Sequence, residues 1–172
     1  MNLATNSSDR RALILGLPLI ATFLIAGCAR KIYRSDLIDA EKKLWAGRIS
    51  LQIQSDPVQA FFAGFELKGR SERGELTLTS PIGNVLGIMR WSPDEAVLES
   101  GNEIKRFTSV DALLEQTTGA AIPVAALFDW LRGENTQLNG WSADLSELNI
   151  GRIVATRTEP APQTRLRIVL DQ

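Results

Sequence analysis

The 172-residue sequence contains no histidine. That absence excludes Ser-His-Asp and Cys-His nucleophilic catalysis and every imidazole-based metal site. Cysteine occurs once, so no internal disulfide can form. Neither the phosphate loop G-x-x-x-x-G-K-S/T nor the fingerprint G-x-G-x-x-G appears, so nothing points to nucleotide hydrolysis or a dinucleotide cofactor, and no cofactor is expected. Net charge is −1 and the pI about 5.6, which offers nucleic acid no basic surface. What the chain does have is apolar material. Hydrophobic residues make up 44% and charged residues 23%, which suits one globular domain with a sizeable core.

The amino terminus reads as an address. Arg10 and Arg11 precede the apolar run "ALILGLPLIATFLIAG", which covers residues 12–27. Its 16 residues fall short of the roughly 20 that a spanning helix needs, and Pro18 interrupts it. A basic start, a short apolar run and a small-residue end make a secretory signal. The end, Ile25-Ala26-Gly27-Cys28, looks like a bacterial lipobox, and the sole cysteine falls at the position that motif requires. In such motifs the thiol takes a diacylglyceryl group, cleavage occurs before the cysteine, and the new amine is often acylated too. An uncleaved signal anchor would leave that placement to chance. The expected organisation is a signal peptide over residues 1–27, an acylated tether over 28–35 and a single domain over 36–172. Ala29 favours the outer membrane, because an aspartate in its place resembles an inner-membrane retention signal.

Ser35 as N-cap and Asp36 in a first turn predict a short helix from Asp36 to about Leu44. The period then changes to two. In "WAGRISLQIQ", Trp45, Gly47, Ile49, Leu51 and Ile53 share one face of a strand. "VQAFFAGFELKG" is a second strand, apolar on both faces near Phe61, Phe62 and Phe65, so cover is expected on both sides. "ELTLTS", Asn84 to Trp91 and "AVLES" follow as further strands of an antiparallel meander. Two helices come next. One is capped by Ser109 and stopped by Gly119; the other starts at Pro123 and stops at Gly133. Leu138 to Leu148, Gly151 to Thr158 and Thr164 to Leu170 complete the strands. The fold class is therefore α+β, mainly antiparallel β: one curved sheet with about three short helices on its concave face. Such a sheet can enclose an apolar cavity, although close packing favours a core filled by Phe, Trp and Leu. Asp111, Glu115 and Asp129 lie near the helices. Paired carboxylates can run glycosidase chemistry, but at helix starts and outer faces capping and solvation explain them better.

"LTLTSPIGNVLG" contains the oddest residue. Pro81 and Gly83 are turn formers, yet Ile82 between them is large and β-branched, where Asn, Asp or Ser is usual. Ile82 either folds back into the core or is held out in solvent.

Taken together, these residues resemble the LolB family of outer-membrane lipoproteins. The matching features are the lipobox at Cys28, "WAGRISLQI", "TSPIGNVLG", "LLEQTTGAAIPVAALFDWLRG" with its G-x-x-I-P core and W-I/L-x-G end, Gly140-Trp141, and the closing "TRLRIVL". The chain closes at Gln172 without any longer family tail. The resemblance implies an incomplete, half-open antiparallel barrel with a helical lid over a hydrophobic cavity, which reverses the preference for a filled core. It also implies a monomeric, non-enzymatic receptor, lipid-anchored to the outer membrane and facing the periplasm. That receptor takes acylated lipoproteins from a LolA-like periplasmic carrier and places them in outer-membrane lipid without an energy source. In the family a Pro-Leu-Gly turn projects its leucine into solvent for membrane delivery, and Ile82 stands at the leucine's position here. The expected cavity wall comprises Trp45, Ile49, Leu51, Phe62, Leu76, Leu78, Leu86 and Ile88, with Leu113, Leu114, Leu127, Phe128 and Trp130 from the lid. For any one of these, an ordinary core role is equally compatible with the pattern. A first prediction concerns the anchor: bacteria making the protein incorporate labelled palmitate into it, and Cys28→Ser abolishes the incorporation.

Overall fold

The computed structural model describes residues 44–171. Its elements are β1 (Leu44–Ile53), β2 (Gln59–Arg70), β3 (Arg73–Thr79), β4 (Val85–Trp91), β5 (Ala96–Ser100), β6 (Glu103–Phe107), α1 (Val110–Thr118), α2 (Val124–Arg132), β7 (Trp141–Asp144), β8 (Arg152–Arg157) and β9 (Thr164–Leu170). The strands form one nine-stranded sheet in the order β6-β5-β4-β3-β2-β1-β9-β8-β7. Every neighbouring pair is antiparallel. β6 and β7 form the two edges and do not pair with each other, so the sheet curls into a half-open barrel. The helix expected from Asp36 lies outside the described residues except at Leu44, which opens β1 as a strand residue.

Two strands differ from expectation. β6, "EIKRF", carries no alternation that a pattern search would find, because charge occupies three of its five positions. Charge suits it as an edge strand, where it discourages pairing with another chain. The strand expected from Leu138 to Leu148 shrinks to the four residues of β7. Asn139 and Gly140 both have positive φ, 52° and 77°, and turn the chain just before it. Any side chain at residue 140 would meet the Glu159 carbonyl oxygen at 1.7 Å, so glycine is required there. At the other end Leu148–Ile150 forms a 3-10 turn instead of continuing the strand.

The helices start and stop as their capping residues dictate. Ser109 Oγ accepts a hydrogen bond from the Ala112 N–H at 3.1 Å. Gly119 and Gly133 close α1 and α2 in the left-handed conformation, at φ 72° and 87°. The Val124 N–H donates to Asp111 Oδ1 at 3.4 Å, which fastens the first turn of α2 to α1.

The core lies between α2 and the inner face of the sheet. Val124, Ala126, Leu127, Phe128, Trp130 and Leu131 of α2 are all buried. The Phe128 ring meets Trp45 of β1 edge-on, with centroids 5.5 Å apart, and Trp91 of β4 at 6.3 Å. Gly74 makes room for this arrangement: a Cβ there would lie 2.4 Å from the Trp91 ring. Buried indoles need partners for their N–H groups, and these partners tie down the loops. The Trp91 indole donates to the Ser71 carbonyl at 2.9 Å, Trp130 to Thr136 at 2.8 Å and Trp141 to Ala121 at 2.8 Å. Replacing Phe128 by Ala removes the shared contact of two tryptophans and leaves a cavity. The expected loss is about 3–5 kcal/mol of unfolding free energy, read by urea titration of tryptophan fluorescence.

Candidate functional site

Strand register arranges the inner face in rows. Trp45 pairs with Leu67, Leu67 with Leu76, Leu76 with Met89 and Met89 with Leu98. The next row runs Gly47, Phe65, Leu78, Gly87. Beyond it Ile49 pairs with Ala63, and Leu51 with Phe61. From β1 to β5 no inward-facing residue carries a charge. The ion pairs sit on the opposite face. There Arg90 bonds both Glu75 and Glu99 at 2.8 Å. Burial pulls the Arg90 pKa down, but the hydrogen bonds that it donates to its two carboxylate partners prevail and raise it. Among the described residues the buried charged side chain is Arg157, at the far side of the sheet. Its guanidinium lies 5.9 Å from the centre of the Trp141 ring.

Cover over this apolar floor is uneven. Where α2 lies, Leu67, Met89 and Trp91 are buried. Ile49, Leu76, Leu78 and Leu98 are only half-buried, although they pack against the same core. Along β2 the inward residues go from 5% exposed at Phe65 to 39% at Phe61. Along β2 and β4 the cover thins toward the end of the sheet that carries the β1–β2 and β3–β4 connections, whereas Leu51 and Ile53 of β1 stay buried there.

The β3–β4 connection holds Ile82. The Gly83 N–H donates to the Ser80 carbonyl at 2.9 Å, which puts Pro81 and Ile82 at the two central positions of a turn. The Ser80 N–H donates to Asn84 O at 2.8 Å, and the Asn84 N–H to Ser80 Oγ at 3.1 Å. Gly83 has φ 88°, a left-handed value, with open space where a Cβ would be, so glycine serves backbone geometry there and not close packing. Pro81 presets the turn. The Ile82 side chain is 84% exposed, the highest value among the large apolar residues described.

The structure places the expected wall residues in three groups. Ile49, Leu76 and Leu78 form the half-covered floor. Trp45, Leu51, Leu114 and Leu127 are buried at its margin, and Leu113, Phe128 and Trp130 are sealed in the packed half with no accessible surface. Phe62, Leu86 and Ile88 lie elsewhere, and each has a geometric reason. Phe61 and Phe62 are adjacent on one strand, so only one of them can face inward. Phe61 does, and Phe62 projects outward, 67% exposed, which also removes the expected cover on the second face. Ile88 pairs with Thr77 and Glu99 on the outer face. Leu86 falls in a bulge: Gly87 pairs with Leu78 and Val85 with Thr79, which leaves Leu86 as the extra residue. Leu98 and Phe61 belong to the inner face and were not anticipated. Pairing residues across the four-residue β4–β5 turn, which sets Ala96 opposite Trp91 and Leu98 opposite Met89, would have found Leu98. Cys28 lies outside the described residues.

Of the carboxylates near the helices, Glu115 is exposed on α1, and Asp111 and Asp129 are engaged in structure. Asp111 receives the Val124 N–H, and Asp129 accepts from Thr136 Oγ1 at 2.7 Å and pairs with Arg132.

A family sequence model described as "Outer membrane lipoprotein LolB" matches residues 44–172. The chain belongs to the LolB family. It is 35% identical to the outer-membrane lipoprotein LolB of Ralstonia nicotianae over 73% of this chain and 62% of that protein. The same-named protein of Cupriavidus taiwanensis is 32% identical over 91% of this chain and 83% of its own length. That of Bordetella petrii is 28% identical over 87% of each. The match to the Ralstonia LolB thus spans less than two thirds of that relative. Within this LolB-family fold the turn residue Ile82 contributes no burial, so Ile82→Glu should leave the unfolding free energy within about 0.5 kcal/mol of the parent. Thermal melts of the two proteins side by side check this.

Proposed function

We propose that the protein is an outer-membrane lipoprotein receptor that takes acylated lipoproteins from a LolA-like periplasmic carrier and inserts them into the inner leaflet of the outer membrane. The observation that carries the reading is the half-covered, charge-free inner floor of Ile49, Leu76 and Leu78, which opens toward the exposed Ile82 turn. Cys28, acylated, holds the receptor on the membrane from the periplasmic side. The receptor acts as a monomer and catalyses no covalent step.

The energetics fit this role. Each CH₂ moved into water costs about 0.8 kcal/mol, so one long acyl chain left bare costs on the order of 10 kcal/mol. A transfer route must keep the chain dry throughout. An apolar floor does so without hydrogen-bond partners, because acyl chains offer none. The chains lie along the floor, with Trp45 and Leu51 at its margin and the α1–α2 pair as lid. Leu114 and Leu127 form the lid's yielding side. Leu113, Phe128 and Trp130 stay packed or open last. Direction needs no nucleotide: a receptor that binds about 1.4 kcal/mol better than the carrier shifts the equilibrium tenfold, and insertion into the bilayer removes the product. Ile82 contributes about 1.5–3 kcal/mol when it enters lipid, enough to orient the mouth but not to anchor the protein.

Two measurements test this. A fluorescent fatty acid binds the protein and is displaced by an acylated lipopeptide; no uptake at all would leave only a passive envelope scaffold. Ile82→Glu retains loading from the carrier but loses delivery to liposomes, and normal delivery by this variant would refute the role of the turn.

A further inference from the structure

We propose that the sheet end carrying Ile82 docks on the lipid bilayer through two hairpin corners, the second supplied by Val58, Phe61 and Phe62 of the β1–β2 corner. The inference rests on the receptor reading above and extends it from one side chain to a surface.

Antiparallel connectivity brings these corners together. The β1–β2 and β3–β4 connections leave the sheet at the same end, because successive hairpins in a meander alternate between its two ends. Gly64 pairs with Thr79, the last residue of β3. β2 therefore extends past β3, and Phe62 and Phe61 lie level with the Ser80–Asn84 turn, about 7 and 10 Å beyond that last pair. Val58, Phe61, Phe62, Ile82, Val85 and Leu86 are all exposed there. Scattered single exposures are ordinary, but a contiguous cluster on one rim marks an interaction surface.

Charge distribution selects lipid as the occupant. Residues 57–65 and 76–89 contain no Asp, Glu, Lys or Arg, in a chain that is 23% charged. Charges resume at the borders, with Asp56 before the first run and with Glu75 and Arg90 around the second. Asp56 in the β1–β2 connection and Glu103 after the β5–β6 turn border these runs at the same end of the sheet. The runs themselves offer a charged protein partner nothing to pair with, and their projecting hairpin tips suit a deformable apolar phase. Reach is also sufficient. The chain takes sixteen steps from Cys28 to Leu44, at most about 53–58 Å. Leu44 lies at the opposite end of β1, a 10-residue strand that is about 33 Å long. An anchor at Cys28 therefore allows the far rim to touch the membrane.

The test uses the mature, acylated protein in vesicles of phosphatidylethanolamine and phosphatidylglycerol. Acylation occupies the Cys28 sulfur, so Phe62→Cys, Ile82→Cys and Ile150→Cys each supply one free thiol for an environment-sensitive dye. Ile150 is the control, exposed beyond β7 at the opposite end of the sheet. Dyes at 62 and 82 should shift to the blue and be quenched by spin-labelled lipid, while the dye at 150 stays aqueous. Phe62→Ser should then slow delivery to liposomes about tenfold with carrier loading unchanged. A dye at 62 that remains in water while the dye at 82 enters lipid overturns the proposal and leaves the receptor reading intact. So does a dye at 62 that responds to the carrier and not to vesicles. If acylated lipopeptide no longer loads onto the parent protein, the receptor reading itself has failed.

Discussion

Phe128 decides which part of the inner sheet face is filled. Its ring sits edge-on between Trp45 and Trp91, two residues separated by three strand boundaries in a sheet order that runs β1-β2-β3-β4. This clamp is what seats α2, and α2 buries the end of the face where Leu67 and Met89 lie. Two nine-residue helices cannot also cover the other end of a nine-stranded sheet. Because the inner face carries no charge from β1 to β5, the uncovered portion there stays apolar. The floor is therefore a consequence of how far the lid reaches.

The same geometry separates rigidity from yielding. Indole N–H groups pin the α1–α2 link to Trp141 and the loop after α2 to Trp130, so the connections of the lid are fixed at both ends. Few polar groups bind the lid to the floor itself. Leu114 and Leu127 retain some exposure, and the floor beneath is held by dispersion and hydrophobic contact alone. Apolar contacts lack direction and re-form equally well against an acyl chain. In the proposed role, exchange of lid for lipid then costs little, which a transfer step without nucleotide requires.

Much of this was legible in the sequence, for identifiable reasons. β1 shows its period of two because one face is buried and the other carries Arg48, Ser50 and Gln52. The helices were bounded by Ser109, Gly119, Pro123 and Gly133, whose backbone preferences are strong and local. Misreadings arose where facing depends on register. Phe62 looks like core by composition, and only strand alternation turns it outward. Leu86 sits in a bulge, an irregularity set by the pairing of two strands and invisible in either one. β6 was hidden because an edge strand with charge at three of its five positions carries no hydrophobic signal. The Leu138 to Leu148 segment was overextended because the close approach of Gly140 to Glu159 is a long-range contact.

Ile82 is the place where local rules and structure disagree. Every other residue of its turn has a structural duty: Ser80 closes the loop on both sides, Pro81 presets it and Gly83 takes the left-handed position. Asn or Asp at residue 82 would serve the turn better, and neither would expose a β-branched apolar side chain to water. The residue buys no burial, yet its solvent-facing position is secured by three hydrogen bonds within the turn. Local inconsistency in an otherwise consistent chain is expected at functional sites. Here it lies on the same rim as Phe62 and Val58, which lack a folding role for the same reason. One exposed apolar residue could be neutral drift. Several, gathered in two charge-free runs at one end of the sheet and beside the thinly covered floor, are what a surface that trades water for lipid needs.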